Sequence, residues 1–161
     1  KEFKWIDAAG NSPDYWSLTG GLLYAGEGLN ASKMLREQVN INGAALNSAQ
    51  DVYLELGMVH YRTSNLTNDI RPNIKFSNST DLNDAMNDGE GVTVTIIHAN
   101  NNTNYNITGL DIDGTQQTSM RWVGGSAPSD GGSTGVDIYT FNIIKTAANT
   151  YLVIGNQSKT S

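Results

Sequence analysis

Strict alternation of β-branched and polar residues is the feature that most constrains the fold of this chain. Residues 92–99 read VTVTIIHA, and two further alternating segments follow, DIYTFNIIK at 137–145 and TYLVIG at 150–155. A period of two residues places successive side chains on opposite faces of a strand. The four-residue connection between the last two segments predicts a β-hairpin. The end of the chain is therefore expected to be β-sheet.

Shorter strand signals precede these segments. Residues 39–41 alternate, and the alternation of DVYLELGMVHYRT at 51–63 predicts a strand in which Gly57 marks a bulge. Residues 79–91 combine a capping hydroxyl, apolar residues at helical spacing and a glycine stop, which predicts one or two helical turns. The dipeptide 113–114, Asp-Gly, predicts a tight turn. The expected fold is all-β: an antiparallel, jelly-roll-like β-sandwich with a short helical segment.

Residues 1–33 follow neither the strand period nor the helix period. This segment is expected to be an irregular N-terminal arm that precedes a β-sandwich domain at 34–161. The arm carries many large apolar side chains, which must be buried against its own domain or against another chain. The candidates for such docking or oligomer contacts are Trp5, Tyr15, Trp16, Leu22, Leu23 and Tyr24.

The net charge and the lack of a long apolar segment argue against two classes of partner, nucleic acids and membranes. The formal net charge of -6 argues against nucleic acid, because proteins that grip phosphates need basic patches. No segment approaches the roughly 20 apolar residues of a membrane-spanning helix. The chain has no cysteine, so stability must come from packing or from association rather than from disulfides. We expect neither a nucleic-acid partner nor a membrane partner.

Reactive groups in a recognisable spacing are scarce. His60 and His98 lack the spacing of metal ligands, so they are expected to be structural or surface residues. The glycines at 124–125 and 131–132 precede a strand rather than a helix, which argues against a phosphate loop. We expect no enzymatic activity, no cofactor and no metal. A carboxylate pair for glycoside hydrolysis is defined by its separation in space, which folding rather than sequence spacing decides.

Five segments follow one another in an order that is specific. They are GEGVTVTII at 89–97, NYNITGLDIDG at 104–114, MRWVGGSAPSDGG at 120–132, VDIYTFNIIKT at 136–146 and YLVIGNQSK at 151–159. In this order they resemble a β-sandwich domain of the virion structural and tail-fibre proteins of tailed bacteriophages, notably phages of marine cyanobacteria. The upstream residues from Val39 resemble the early strands of the same domain. Residues 1–33 show no such resemblance.

The resemblance implies a non-enzymatic bacteriophage structural protein located in the virion. We expect it to be part of a tail fibre or another appendage, assembled with other virion proteins as a homo-oligomer, with a trimer favoured. Two alternatives stay open. One is a capsid decoration protein, and the other is a carbohydrate-binding adhesin module that contacts a host surface glycan. The candidate glycan contacts on the sandwich are Tyr61, Tyr105 and Trp122.

Overall fold

The chain divides into two compact units, Lys1–Arg36 and Glu37–Ser161. The structure, a computed structural model, describes residues 16–19, 22–25, 36–101 and 104–160, and only the backbone for the ranges before residue 36. In the first unit, strands β1 (Trp16–Thr19) and β2 (Leu22–Ala25) pair antiparallel. The expectation of an irregular arm is therefore wrong for this stretch. The predicted contacts of the arm's aromatic and leucine side chains lie outside the described residues, and the predicted boundary after residue 33 stays a prediction.

The second unit is mostly β, as the sequence predicts. Its short helix, α1 (Leu82–Ala85), confirms the helical segment expected within 79–91. A 3-10 helix covers Leu54–Leu56. The strands are β3 (Val39–Asn42), β4 (Asp51–Tyr53), β5 (Val59–Arg62), β6 (Asn73–Lys75), β7 (Gly91–Asn101), β8 (Asp111–Ile112), β9 (Thr115–Gln116), β10 (Arg121–Trp122), β11 (Thr134–Ala147) and β12 (Thr150–Lys159).

These strands form two mixed sheets, so the expectation of an antiparallel arrangement is wrong. The six-stranded sheet has the order β10-β12-β11-β7-β5-β3, and the four-stranded sheet has the order β4-β6-β8-β9. Successive strands from β3 to β8 belong alternately to the six-stranded and the four-stranded sheet. Strands β3, β5 and β7 are therefore parallel in one sheet, and β4, β6 and β8 are parallel in the other. Antiparallel pairing is confined to β7-β11-β12 and to β8-β9 in this unit.

The segment 51–63 is not one strand. Its first part is β4 in the four-stranded sheet, and its last part is β5 in the six-stranded sheet. The 3-10 helix and Gly57, with φ +119°, make the turn between them. A Cβ atom at residue 57 would collide with the backbone carbonyl of Gln38, so glycine is required at this crossing.

The inward side chains of both sheets belong to one hydrophobic core. Val52, Ile74 and Ile112 are register partners across β4, β6 and β8, and all three are buried. From the six-stranded sheet, Phe141 and Ile143 join the same cluster. Alternation along the strands thus places one face of each sheet in the core, as the sequence period predicts.

The turn predicted at Asp113 and Gly114 is confirmed. Both residues have positive φ, +48° and +78°, and the turn joins the antiparallel pair β8-β9. The Asp113 carboxylate also accepts hydrogen bonds from the backbone amides of Leu82 (2.8 Å) and Asn83 (2.9 Å). A side chain distant in sequence thereby caps the start of α1. Within the described ranges, no helix is long and apolar enough to cross a membrane.

Candidate functional site

A row of polar and charged side chains crosses the inner face of the six-stranded sheet. Arg62, His98, Asp137 and Lys159 are register neighbours on β5, β7, β11 and β12. We call these four residues the polar row. Arg62 is 4 % exposed and His98 and Asp137 are 0 % exposed, although charged residues are rarely buried to this extent. One end of the inner face is therefore polar, while the other end forms the hydrophobic core.

Burial sets the protonation of the histidines at this end. Burial, together with the charge of Arg62, lowers the pKa of His60 to about 4. Burial also lowers the pKa of His98, against the opposing effects of the Ala99 carbonyl and of Asp137. Both imidazoles are consequently neutral at pH 7. Both histidines are buried, so the expectation that they could be surface residues is wrong, and their structural role stays a prediction.

Gln157 connects the polar row to the aromatic residues below it. Its Nε2 atom donates hydrogen bonds to the Tyr139 hydroxyl oxygen at 2.6 Å and to Asp137 Oδ2 at 3.3 Å. The Tyr139 ring in turn stacks on His98, with ring centroids 5.6 Å apart. Polar groups buried inside a protein are stabilising when they are hydrogen-bonded in this way.

The polar row has hydrogen-bonding capacity beyond what the described protein groups use. Arg62 Nε and Nη1, His98 Nε2 and Asp137 Oδ1 have no hydrogen-bond partner among the residues that the structure describes. Buried polar atoms of proteins are almost always hydrogen-bonded to protein groups or to ordered water. This end of the interior is therefore polar, in contrast to the hydrophobic core at the other end.

The loop between β10 and β11, residues 123–133, is hydrogen-bonded to side chains at this polar end. Three side chains donate to its backbone carbonyls: Asn106 to Pro128 (3.2 Å), Gln157 to Asp130 (3.0 Å) and Lys159 to Gly131 (3.2 Å). In the opposite direction, the Gly132 amide donates to Asp137 Oδ2 at 2.9 Å, and the Gly131 amide donates to the Asn104 carbonyl at 2.7 Å. The 123–133 loop is glycine-rich in sequence but fixed at several points in the structure.

A pocket of about 300 Å³ lies between this loop and β12. We call it the loop pocket. Its lining is almost entirely polar, and it includes Trp122, Ser126, Ser129, Asn156, Gln157 and Lys159. The indole of Trp122 is half-buried and contacts the Phe141 ring edge-on, with centroids 6.0 Å apart. The Trp122 ring is thus packed against the sheet, while the surface of the loop pocket is polar.

Of the three aromatic residues predicted as glycan contacts on the sandwich, Trp122 lines the loop pocket. Tyr61 lies on the opposite face of the six-stranded sheet, in β5. Tyr105 is 37 % exposed and follows Asn104, which binds the loop, but it does not line the pocket. The structure therefore does not bring the three together.

The outer face of the six-stranded sheet is nearly uncharged: one row across it is apolar, and threonine and asparagine side chains such as Thr93, Thr95 and Asn142 lie beside that row. Ile41, Tyr61, Ile97 and Ile138 are register neighbours across β3, β5, β7 and β11. Ile41 is 68 % exposed, and Val39 on the same strand is 44 % exposed. In the strands of this sheet, all of which the structure describes, the only outward-pointing charged side chain is Arg121 at the β10 edge.

No cluster of three or more potential metal ligands occurs in the described part of the chain. Comparison of the sequence and the structure with protein-family models, curated proteins and solved structures finds no match. The loop pocket, the polar row and the outer face are the features of the described residues that bear on function.

Proposed function

We propose that this chain is a non-enzymatic structural protein of a bacteriophage virion, part of a tail fibre or another appendage. The two mixed sheets form a β-sandwich, and copies of the chain associate as a homo-oligomer through the outer face of the six-stranded sheet. The observation that carries the proposal is the nearly uncharged character of this face together with the exposed apolar side chains of Val39 and Ile41 on its edge strand. The order of sequence segments that resembles phage structural domains supports the same function.

The physical case for association is the exposed apolar area. Burying apolar surface stabilises an interface by roughly 25 cal/mol per Å². Ile41 and Val39 are exposed at the sheet edge, where a second chain could cover them. The chain carries a net charge of -6, so two copies repel at long range. Contact through a nearly uncharged face avoids bringing like charges together and avoids stripping water from them.

Three copies related by closed symmetry are the favoured assembly, because a closed ring would also cover the exposed edge strand β3. The location in the virion and the contacts with other virion proteins are part of the same proposal. A capsid decoration protein would use the outer face in the same way, and mass spectrometry of separated capsid and tail fractions of purified virions distinguishes the two locations.

Light scattering coupled to size-exclusion chromatography tests the association. We expect the full chain to be an oligomer at micromolar concentration, and we expect Ile41→Glu to shift it toward monomer, since the substitution places a charge in the interface. Thr115→Glu, which adds the same charge at an exposed position of β9, is the control and should remain oligomeric. A monomeric wild-type chain, or an Ile41→Glu variant as oligomeric as wild type, would overturn the proposal.

A carbohydrate-binding adhesin is the second candidate function, and one observation favours it. Trp122 is one of the residues that line a mainly polar pocket with Asn156, Gln157 and Lys159, a lining suited to a polar ligand.

A further inference from the structure

We propose that Asn42 is a site of spontaneous deamidation, in which the Gly43 backbone nitrogen displaces the side-chain amide, and that the aspartate formed pairs with the buried guanidinium of Arg62. Asn42 lies on the inner side of the edge strand β3, so the modification is independent of association through the outer face. Light scattering decides the association and mass spectrometry decides the modification, so the two can fail separately.

The dipeptide Asn42-Gly43 is the only Asn-Gly sequence in the chain. Deamidation begins when the backbone nitrogen of the next residue attacks the side-chain carbonyl carbon of an asparagine. A side chain on that next residue hinders the approach, and glycine has none. Every other asparagine is followed by a residue with a side chain. The sequence therefore singles out Asn42 as the asparagine at which the attack is least hindered.

The backbone amide of Gly43 is free to act as the nucleophile. Asn42 is the last residue of β3, and both it and Gly43 are exposed. The Gly43 amide has no hydrogen-bond partner among the residues that the structure describes. A Cβ atom at residue 43 would meet only the Thr63 hydroxyl oxygen, at 4.0 Å, so the space around the nitrogen is open.

The Asn42 side chain is already folded toward the residues that follow it. Its Oδ1 atom accepts a hydrogen bond from the Ala44 amide at 2.8 Å. The ring that this bond closes contains both the Asn42 side-chain carbonyl carbon and the Gly43 nitrogen. The donated hydrogen bond also stabilises the negative charge that develops on Oδ1 when the nitrogen attacks. The local geometry therefore favours the first step of the reaction.

The reaction needs only water. The Gly43 nitrogen loses its proton to hydroxide and forms a bond to Cγ of Asn42, and the bond from Cγ to Nδ2 breaks as ammonia leaves with the proton. The product is a cyclic imide. Water then adds to the imide, and cleavage of the bond between the nitrogen and Cγ gives aspartate. One neutral amide thus becomes one carboxylate without an enzyme or a cofactor.

The neighbour of this new carboxylate is Arg62, the register partner of Asn42 on β5. Register partners lie on the same face of a sheet. Arg62 is 4 % exposed, and its Nε and Nη1 atoms have no hydrogen-bond partner among the described residues. In the same part of the chain no carboxylate lies within salt-bridge distance of it. Burial lowers the pKa of Arg62, as expected of a cation without a counter-ion.

The other neighbours of Arg62 in the sheet do not supply the missing charge. On β7 its partner is His98, which burial keeps neutral at pH 7. Asp137 is one strand further away, on β11, and two strand spacings place its backbone about 10 Å from that of Arg62. Asp137 also accepts a hydrogen bond from the Gly132 amide at 2.9 Å. A carboxylate at residue 42 is therefore the change that gives Arg62 an adjacent counter-ion.

Mass spectrometry of the full chain, incubated for days at mildly alkaline pH in heavy-oxygen water, tests the modification. We expect the peptide that contains residue 42 to exchange its amide nitrogen for a heavy oxygen, and the peptides of the other asparagines to react at least about ten-fold more slowly. Gly43→Ala is the matched control, because the methyl group fits the open space but hinders the nitrogen. It should slow the reaction at residue 42 about ten-fold.

Asn42→Asp carries the aspartate from the start and tests the pairing. At pH 7 we expect the Nε–H line of Arg62 in nitrogen-proton NMR spectra to shift, and the midpoint of urea unfolding to rise by about 0.5 M. Asn40→Asp is the control, since it adds the same charge to the same face of β3, beside the neutral His60 instead of Arg62. It should leave the midpoint at or below that of wild type.

Each of the two tests can overturn the proposal. An unmodified residue 42, or a reaction that is as fast in Gly43→Ala as in wild type, contradicts the attack by the Gly43 nitrogen. An Arg62 line that does not move in Asn42→Asp, or a urea midpoint no higher than that of Asn40→Asp, contradicts the pairing with the guanidinium.

Discussion

Trp122 and Gly155 are register partners at the edge of the six-stranded sheet, and the indole lies directly on the glycine backbone. A Cβ atom at residue 155 would lie 2.9 Å from Cε3 and Cζ3 of the indole and 2.5 Å from the Met120 methyl group. The methionine is flexible, but the indole is confined by Phe141. The absence of a side chain at Gly155 thus sets the position of the Trp122 ring against the sheet.

Gly155→Ala is expected to displace Trp122 and to lower the free energy of unfolding by about 1–3 kcal/mol, because overpacking forces the ring from its position. Urea unfolding measures the stability, and the fluorine NMR line of Trp122 in the chain labelled with fluorotryptophan measures the displacement. Gly43→Ala is the control, since a Cβ atom there would meet only the Thr63 hydroxyl oxygen at 4.0 Å. Wild-type stability together with an unmoved Trp122 line in Gly155→Ala would contradict the expected clash.

The buried His60 predicts a dependence of stability on pH. Its pKa is about 4 in the folded chain and about 6.5 when unfolded. Between these values the unfolded chain binds a proton that the folded chain does not, so stability rises with pH. The contribution of His60 should therefore be lost as the pH falls from about 6.5 to about 4, by up to about 3 kcal/mol.

The comparison of wild type with His60→Leu isolates this contribution, because both chains share the titrating carboxylates. Urea unfolding at pH 7 and at pH 4 should show that wild type loses up to about 3 kcal/mol more than the variant. If both chains lose the same free energy of unfolding, then His60 is not held neutral by burial.

Gln157→Leu is expected to release the 123–133 loop. The variant loses the donors to Tyr139, Asp137 and the Asp130 carbonyl, and it leaves buried acceptors without that partner. The free energy of unfolding should fall by about 1–3 kcal/mol, and hydrogen exchange of the loop amides should accelerate. Gln117→Leu removes a single exposed bond to the Thr115 carbonyl and should change stability by less than about 0.5 kcal/mol. Equal effects of the two substitutions would argue against a fixed loop.

Asp113 has two structural roles that substitution can separate. Asp113→Ala removes the cap of α1 and places alanine at a positive φ, so we expect a loss of about 1–2 kcal/mol. Asp113→Gly relieves the backbone but still lacks the carboxylate, and Asp113→Asn tolerates the backbone and keeps one acceptor oxygen. Thermal unfolding should therefore rank the stabilities as wild type, then Asn, then Gly, then Ala. An alanine variant as stable as the asparagine variant would contradict both roles.

The sequence was sufficient for the local elements in which neighbouring residues decide the structure. The alternation at 92–99 became β7, the paired segments at 137–145 and 150–155 became the hairpin β11-β12, and the dipeptide Asp113-Gly114 became the β8-β9 turn. Each depends on a period of two residues or on the φ values of a turn, which are properties of a short stretch of chain.

Sequence alone predicted only a part of the candidate site. It singled out Trp122 and the loop that follows it, but not Gln157, Lys159 or the polar row. Asp137 occupies the same alternating set as Tyr139 and Phe141, so its burial agrees with the period. Polar residues are nevertheless expected to point outward, and only strand register could reveal that Asp137 lies beside His98 and Lys159.

The amino-acid sequence by itself determined where strands form, because alternation and turn chemistry act within a few residues. Only the tertiary structure decided which strands pair. In it, residues 51–63 are divided at Gly57 between the two sheets, and β3, β5 and β7 are parallel neighbours. The physical reason is that a strand pattern specifies faces but not neighbours. Parallel partners are separated by long stretches of chain, and their pairing is decided by the shared core. Because β5, β7, β11 and β12 are neighbours in one sheet, the four residues of the polar row lie side by side, next to the 123–133 loop.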